Sequence, residues 1–180
     1  YPVNLSQPRG NMQITYLEKY NLVFFAGGDC NGNYYNIIDV LNVTSNNITQ
    51  KYIPFTQNGL LSANIAEQSL IFYSDSVNPI NYMYNYKDDS WTLISDSLYA
   101  ISIATLPQQN LLLISGIPTD DYNYILLLYN IVTKGNKTLI FNFYANAVTA
   151  FQEEGLVAFT DGTTIAVYNY SNNNIYIVQK

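Results

Sequence analysis

Short runs of consecutive apolar residues recur along the chain at similar intervals. They occupy Leu22–Ala26, Leu70–Tyr73, Leu111–Ile114 and Leu156–Phe159, and their starts are 48, 41 and 45 residues apart. An apolar run of this length, bounded by turn formers, is typical of a strand that is buried on both faces. A polar turn precedes each run, and Gly, Asn, Asp and Ser follow it, because these residues tolerate turn geometry.

A second marker repeats with the same period. An Asn between two apolar residues recurs at Asn42, Asn85, Asn130 and Asn169, at spacings of 43, 45 and 39 residues. Because two markers share one period, the sequence predicts a tandem repeat. In the first repeat the pattern predicts four strands. They are Gln13–Leu17, Asn21–Ala26, Tyr35–Val43 and Asn47–Ile53.

Four strands in a period of about 40–50 residues indicate one blade of a β-propeller. The predicted fold class is therefore all-β, a β-propeller built of four-stranded blades, as a single domain over residues 1–180. The predicted blades are approximately 11–55, 60–96, 98–142 and 145–180. Residues 1–10 are predicted to be an extra strand or a lead-in from a preceding or neighbouring blade.

The repeats resemble those of the kelch family, whose members include galactose-oxidase-like β-propellers. Gly27-Gly28 matches the glycine doublet that follows the second kelch strand, and Gln7-Pro8-Arg9 is similar to the usual lead-in. Trp91 matches the Trp of the fourth kelch strand. The three later repeats replace the doublet, and three of the four lack the Trp. The resemblance implies a kelch-type propeller, a class whose members often present protein partners.

Composition and charge exclude several functions. The content is 48% hydrophobic and 11% charged, which indicates a globular chain. The net charge of −6 disfavours binding to a phosphate backbone, so no nucleic-acid partner is expected. No apolar run approaches the length of a membrane span. The sequence has no His, which removes His-based acid–base catalysis, His–metal sites and Ser-His-Asp triads. We therefore predict no enzyme activity, no cofactor and no metal site.

Five Asn-x-Ser/Thr sequons make the protein a candidate for N-glycosylation: Asn4, Asn42, Asn47, Asn136 and Asn169. Asn47 and Asn136 lie near the predicted hairpin between the third and fourth strands, at the outer rim of a blade, and are the better candidates. Asn42 and Asn169 fall on the repeated Asn. For them a side chain that hydrogen-bonds the adjacent turn is the alternative.

Two recurring residue types allow both a functional and a structural interpretation. Acidic residues follow the second strands, at Asp29, Asp75, Asp120-Asp121 and Asp161. They predict a Ca²⁺ site, an acidic binding mouth or ordinary turn chemistry, and we favour the turns. Tyrosines gather around the third strands and form either a contact surface or packing between blades, which we favour. These tyrosines are Tyr34, Tyr35, Tyr82, Tyr84, Tyr86, Tyr122 and Tyr124.

The leading functional prediction is a non-catalytic structural or interaction module of a secreted or cell-surface glycoprotein. Its expected partners are proteins, including copies of itself, because Tyr1–Leu5 resembles a last blade strand without its own blade and predicts strand exchange. A larger ring, covalent or assembled, is the interpretation of that segment that we favour, and a closed four-blade propeller is a third one. Two alternative functions stay open: an intracellular kelch-type adaptor and a lectin-like carbohydrate-binding propeller.

Overall fold

The computed structural model describes residues 4–53, 60–65, 70–75, 78–120, 123–141, 147–151, 156–160 and 164–179. These residues form β-strands joined by turns, with short 3-10 helices at Glu18–Tyr20 and Pro107–Gln109. The strands are β1 (Gln13–Leu17), β2 (Leu22–Ala26), β3 (Asp29–Cys30), β4 (Asn33–Tyr34), β5 (Ile37–Asn42), β6 (Asn47–Tyr52), β7 (Leu60–Ile65), β8 (Leu70–Asp75), β9 (Asn81–Asn85), β10 (Ser90–Ser95), β11 (Leu98–Leu106), β12 (Leu111–Pro118), β13 (Tyr124–Asn130), β14 (Asn136–Phe141), β15 (Ala147–Phe151), β16 (Leu156–Thr160), β17 (Thr164–Asn169) and β18 (Asn174–Gln179).

The described residues build four-stranded meanders. Sheet A has the order β1-β2-β5-β6, sheet B is β7 to β10, sheet C is β11 to β14 and sheet D is β15 to β18. β3 and β4 form a small separate hairpin between β2 and β5. Neighbouring strands run antiparallel, for example β2 with β5 and β12 with β13. The all-β prediction is confirmed.

The chain divides into two compact units, Tyr1–Leu93 and Ile94–Lys180. In the first unit, alternate residues of sheet A, such as Leu17, Phe24 and Val40, form a core with Tyr84 of sheet B. In the second unit, residues of sheet C pack with Phe159 and others of sheet D. Each core thus lies between two sheets whose facing side chains are apolar.

The second strand of each repeat was predicted to be buried on both faces. Of β2, β12 and β16, only β12 agrees with this prediction. In β12, the six residues from Leu111 to Gly116 are all buried. In β2, buried residues alternate with the half-buried Val23 and Phe25, and β16 alternates in the same way. The reason in β2 is that Val23 and Phe25 lie on the face of sheet A that turns away from the core.

Residues 1–3 of the predicted extra strand lie outside the described residues. The described Asn4 and Leu5 belong to no sheet, and Gly10 makes one isolated bridge with Asp29. No helix formed by the described residues has both the length and the apolar character needed to cross a membrane.

Candidate interaction site

The repeated Asn closes the hairpin between the third and fourth strands of every sheet. The side-chain oxygen of Asn42 accepts a hydrogen bond from the backbone N–H of Ser45 at 2.9 Å. Asn85 accepts one from Lys87, Asn130 accepts two and Asn169 accepts two, each from residues two or three positions ahead. The recurring Asn is therefore a turn-forming device, since its side chain replaces a backbone acceptor.

The residue four positions after each repeated Asn has a left-handed backbone. Asn46, Asp89, Lys134 and Asn173 have φ values of 57°, 55°, 57° and 61°. Asn and Asp tolerate this conformation better than most residues, which explains three of the four choices. The loop thereby presents one side chain from the same position in every sheet.

In the first unit this side chain joins the two sheets. The Tyr84 hydroxyl, in a side chain that is almost fully buried, donates to the Asp89 carboxylate at 2.5 Å. The Lys51 ammonium, from the fourth strand of sheet A, donates to the same carboxylate at 2.7 Å. Hydrogen bonds from Lys51 and then Tyr84 lower the pKa of Asp89 below its usual value. Burial, aided by the hydrogen bond to Asp89, raises the pKa of Tyr84 above its ordinary value.

The second unit repeats this arrangement with an amide in place of the carboxylate. The Tyr168 hydroxyl donates to the side-chain oxygen of Asn173 at 2.7 Å. Lys137, from the fourth strand of sheet C, also donates to that oxygen and lies 5.7 Å from the centre of the Tyr168 ring. We use the term clasp for each set of a lysine and a tyrosine that donate to the same loop side chain. Both clasps connect the fourth strand of one sheet to the hairpin loop of the next.

Most of the described tyrosines around the third strands are partly or fully buried, and Tyr84 and Tyr86 pack against sheet A. Trp91, the residue at the kelch Trp position, is half-buried on β10, with its ring 4.8 Å from that of Tyr84 and 6.3 Å from that of Tyr82. Tyr86 contacts Phe24 of sheet A in an edge-on geometry at 5.7 Å. Tyr34 is the exception, because it is 45% exposed on the β3–β4 hairpin. Tyr122 lies outside the described residues.

The glycine doublet has a steric reason. Gly27 and Gly28 have positive φ values of 62° and 90°. A Cβ on Gly28 would lie 2.3 Å from the backbone oxygen of Gly10, because the lead-in segment crosses directly over it. The backbone groups of Gly10 and Asp29 exchange two hydrogen bonds at this crossing. The doublet therefore lets the lead-in dock against the end of β2.

A buried ion pair fastens the lead-in to sheet A, and sequence reasoning missed it. Arg9 Nη2 lies 3.0 Å from Asp39 Oδ2, and both side chains are fully buried. The backbone N–H of Ser6 donates to the same carboxylate oxygen, and Arg9 also donates to the backbone oxygen of Phe25. The available signal was Asp39 itself, a lone carboxylate in an otherwise apolar strand, because such a residue needs a buried partner.

The β3–β4 hairpin was also missed. Asn31 and Gly32 both have positive φ, 53° and 78°, which is the geometry of a two-residue type I′ turn. The dipeptide Asn-Gly is the strongest short signal for this turn, so the sequence did contain it. Cys30 lies on this hairpin as a half-buried free thiol.

The acidic residues after the second strands do not form a metal site in the described part of the chain. Asp29 accepts a hydrogen bond from the side-chain amide of Asn11 at 2.7 Å, a contact with the lead-in side of sheet A rather than with its own turn. Asp121 and Asp161 lie outside the described residues. Among those described, no group of three His, Cys, Asp or Glu side chains could hold a metal ion.

The sequon residues differ in their surroundings. Asn4, Asn47 and Asn136 are exposed, and the last two begin the fourth strands of sheets A and C. Asn42 and Asn169 are half-buried and hold their hairpin loops.

One face of sheet A is largely apolar and is covered in part by the lead-in segment, whose Ser6 and Arg9 contact Asp39. The residues of β1, β2, β5 and β6 that alternate with the core residues turn away from sheet B. Ile14 is opposite Phe25 in the strand register, Tyr16 is opposite Val23, and Ile14 and Tyr16 are 58% and 43% exposed. We call this surface the outward face of sheet A, and its apolar members are Ile14, Tyr16, Val23, Phe25, Ile37, Leu41, Ile48 and Tyr52, of which Ile37 is buried. Its one charged residue, Asp39, is buried against Arg9.

A polar groove of about 550 Å³ lies in the second unit. Its polar lining residues are Asp96, Ser97, Asp120, Asn136 and Thr138. Ile125 and Leu127 also contribute to its lining. Carboxylate, hydroxyl and amide groups beside aliphatic ones can hydrogen-bond a polar ligand such as a sugar.

No protein-family model matches the chain, and no curated protein sequence matches it significantly. The chain is similar to a chain in the crystal structure of a nidogen/laminin complex, with a TM-score of 0.66 and 11% sequence identity. The similarity covers 93% of this chain but only 64% of that chain. The shared fold is a β-propeller, which confirms the predicted fold class. The kelch class and the number of blades stay predictions.

Proposed function

We propose that the protein is a non-catalytic protein-interaction module, carried by a secreted or cell-surface glycoprotein. The outward face of sheet A is the observation that supports this function. It spans all four strands of the sheet, and its exposed members Ile14, Tyr16 and Tyr52 are aliphatic or aromatic and lie beside the exposed Gln50. Exposed contiguous apolar surface of this kind is typical of a site for another protein.

The comparison with solved structures adds support from the fold alone. A β-propeller chain is present in a nidogen/laminin complex, which is an assembly of proteins. This chain spans 64% of that chain. A role of this chain in binding other proteins is therefore part of the proposal.

Photo-crosslinking tests the interaction directly. A photoreactive phenylalanine derivative replaces Tyr16 on the outward face or, as the control, Tyr170 in a hairpin loop, where it is similarly exposed at 40%. Both variants are expressed with secretion in the source organism and irradiated. We expect covalent protein adducts at Tyr16 and few at Tyr170. Equal or absent adducts at the two positions would refute the proposal.

Glycosylation tests the compartment separately. We expect glycans at Asn47 and Asn136, because these sequon residues are exposed at strand starts and do not hold a loop. The intact mass of secreted material should exceed that of the bare chain and fall after enzymatic deglycosylation. Glycan-free native protein with a reduced Cys30 would instead favour the intracellular kelch-type adaptor.

A lectin-like function is a second candidate, and the polar groove of the second unit favours it. Asp120 lines this groove beside hydroxyl and amide groups. A glycan array with the wild type and with Asp120→Asn separates the two functions. Binding that Asp120→Asn abolishes would support a lectin, whereas an array without hits would remove this candidate.

A further inference from the structure

The outward face of sheet A has a counterpart on sheet D. In sheet D, Val157, Phe159 and Tyr168 point into the core of the second unit. The alternating set, which we call the outward face of sheet D, turns away from that core. Its described members are Leu156, Ala158, Thr160, Ile165, Val167 and Tyr176, of which Ile165 and Tyr176 are 40% and 49% exposed. None of these side chains is charged.

Tyr176 occupies the position from which a clasp is made. In sheet C, Lys137 pairs with the residue two positions before the repeated Asn130. In sheet D, Tyr176 pairs with Val167, which is likewise two positions before Asn169. Lys137 reaches the loop of the next sheet from this position. Sheet D therefore presents a hydroxyl where sheet C presents an ammonium. That hydroxyl accepts a hydrogen bond from the side-chain amide of Asn172 at 3.0 Å, and its own proton can be donated to a further acceptor.

In sheets B and D a tyrosine hydroxyl from the third strand donates to the hairpin loop. Sheet A has no tyrosine at the corresponding strand position. The left-handed residue of its hairpin loop is Asn46, at the place of Asp89 and Asn173. The residue before the repeated Asn is Leu41 in sheet A, whereas Tyr84 and Tyr168 supply hydroxyls from that place in sheets B and D. A sheet that packs onto sheet A could supply the missing hydroxyl itself, and the outward face of sheet D carries one.

We propose that the outward face of sheet D of one copy docks on the outward face of sheet A of a second copy, with the Tyr176 hydroxyl donating to the Asn46 side-chain oxygen. This inference rests on the proposed function and names its partner. The one charged residue of the two faces among those described is Asp39, which is buried against Arg9, so the net charge of −6 places no repelling pair at the contact. The contact is heterologous, so it joins copies head to tail.

A mixing experiment tests the head-to-tail geometry. Ile14→Lys places a charge on one face and Ile165→Lys on the other, and both replace exposed side chains, so each variant should fold. Sedimentation of the wild type should show an average mass that rises with concentration. Each variant alone should be monomeric, because one half of every contact is blocked. An equimolar mixture should form a 1:1 dimer, since each variant keeps the face that the other has lost.

A control variant tests whether an added lysine prevents association only when it lies on one of the two faces. Val132→Lys changes a loop residue that is 66% exposed and lies on neither face, and it should associate like the wild type. A double variant that carries both Ile14→Lys and Tyr176→Phe is then mixed with Ile165→Lys. Its 1:1 dimer should be weaker by roughly threefold to tenfold, because one hydrogen bond is lost. Circular dichroism and thermal melting confirm the fold of every variant.

Two results would overturn the inference. One is a wild type that stays monomeric at all concentrations, and the other is a self-associating wild type whose two blocked variants do not dimerise when mixed. If either result occurs while Tyr16 still crosslinks to other proteins, the proposed interaction function stands and only the second copy is wrong. If the crosslinks are also absent, both proposals fail.

Discussion

Removing the negative charge of Asp39 is expected to destabilise the first unit by about 3–5 kcal/mol. Asp39 and Arg9 are fully buried and joined at 3.0 Å. Asp39→Asn preserves the size of the side chain but leaves the Arg9 guanidinium as a buried charge without its counter-charge. Since a domain is stable by only about 5–15 kcal/mol, the loss is a large fraction of the total.

A double variant isolates the cause of this loss. Arg9→Met combined with Asp39→Leu removes both charges, and a buried pair replaced by apolar residues is often neutral in stability. The main remaining cost is the Ser6 amide, which loses its acceptor at 3.0 Å. We therefore expect the double variant to be more stable than Asp39→Asn by about 2 kcal/mol.

Urea unfolding monitored by the fluorescence of Trp91 measures these differences. Trp91 is the one tryptophan of the sequence and packs on Tyr84 in the first unit. Glu18→Gln, at an exposed position in a turn, is the matched control and should change the free energy of unfolding by less than about 0.5 kcal/mol. The reasoning is wrong if Asp39→Asn costs less than about 1 kcal/mol, or if the double variant is no more stable than the single one.

Three further predictions concern the clasps and the glycines. Tyr84→Phe should destabilise the protein by about 1.5–3 kcal/mol and Tyr168→Phe by about 0.5–1.5, because the first hydroxyl donates to a carboxylate and the second to an amide; equal losses in urea unfolding would contradict this. The lowered pKa of Asp89 contributes stability that is present above the usual Asp pKa and is lost as the pH falls through the folded value. Because this carboxylate is 59% exposed, the effect should be under about 1 kcal/mol, and acid titration of Asp89→Asn should lack it; identical pH profiles would exclude it. Gly28→Ala should cost more than about 3 kcal/mol and Gly32→Ala about 1–2, since only the first places a Cβ against backbone, and thermal melting should rank them in that order.

Local patterns predicted most of the strands in sheet A. The predicted strand Gln13–Leu17 has the same bounds as β1, and the predicted start of the fourth strand, Asn47, is the first residue of β6. These agree because a strand and its turn depend on neighbouring residues, which a sequence displays directly. The repeated Asn was visible for the same reason, since its hydrogen bonds reach only two or three residues ahead.

Contacts between distant residues could not be predicted in this way. Lys51 and Asp89 are 38 residues apart, and nothing near either residue indicates its partner. The pairing of Arg9 with Asp39 depends on the lead-in crossing sheet A, which is a property of the tertiary structure. Burial of both faces was predicted for β2 from an apolar run alone, but such a run does not show whether a second sheet covers the outer face.

Hydroxyl-radical footprinting at increasing protein concentration tests the central claim most directly. Mass spectrometry would follow oxidation of Ile14, Tyr16 and Tyr52 on the outward face of sheet A, with Val132 as the reference outside that face. We expect the three residues to be labelled in dilute solution and protected in concentrated solution, while Val132 stays labelled. Labelling of the outward face that does not change with concentration would contradict the docking of a second copy on this face.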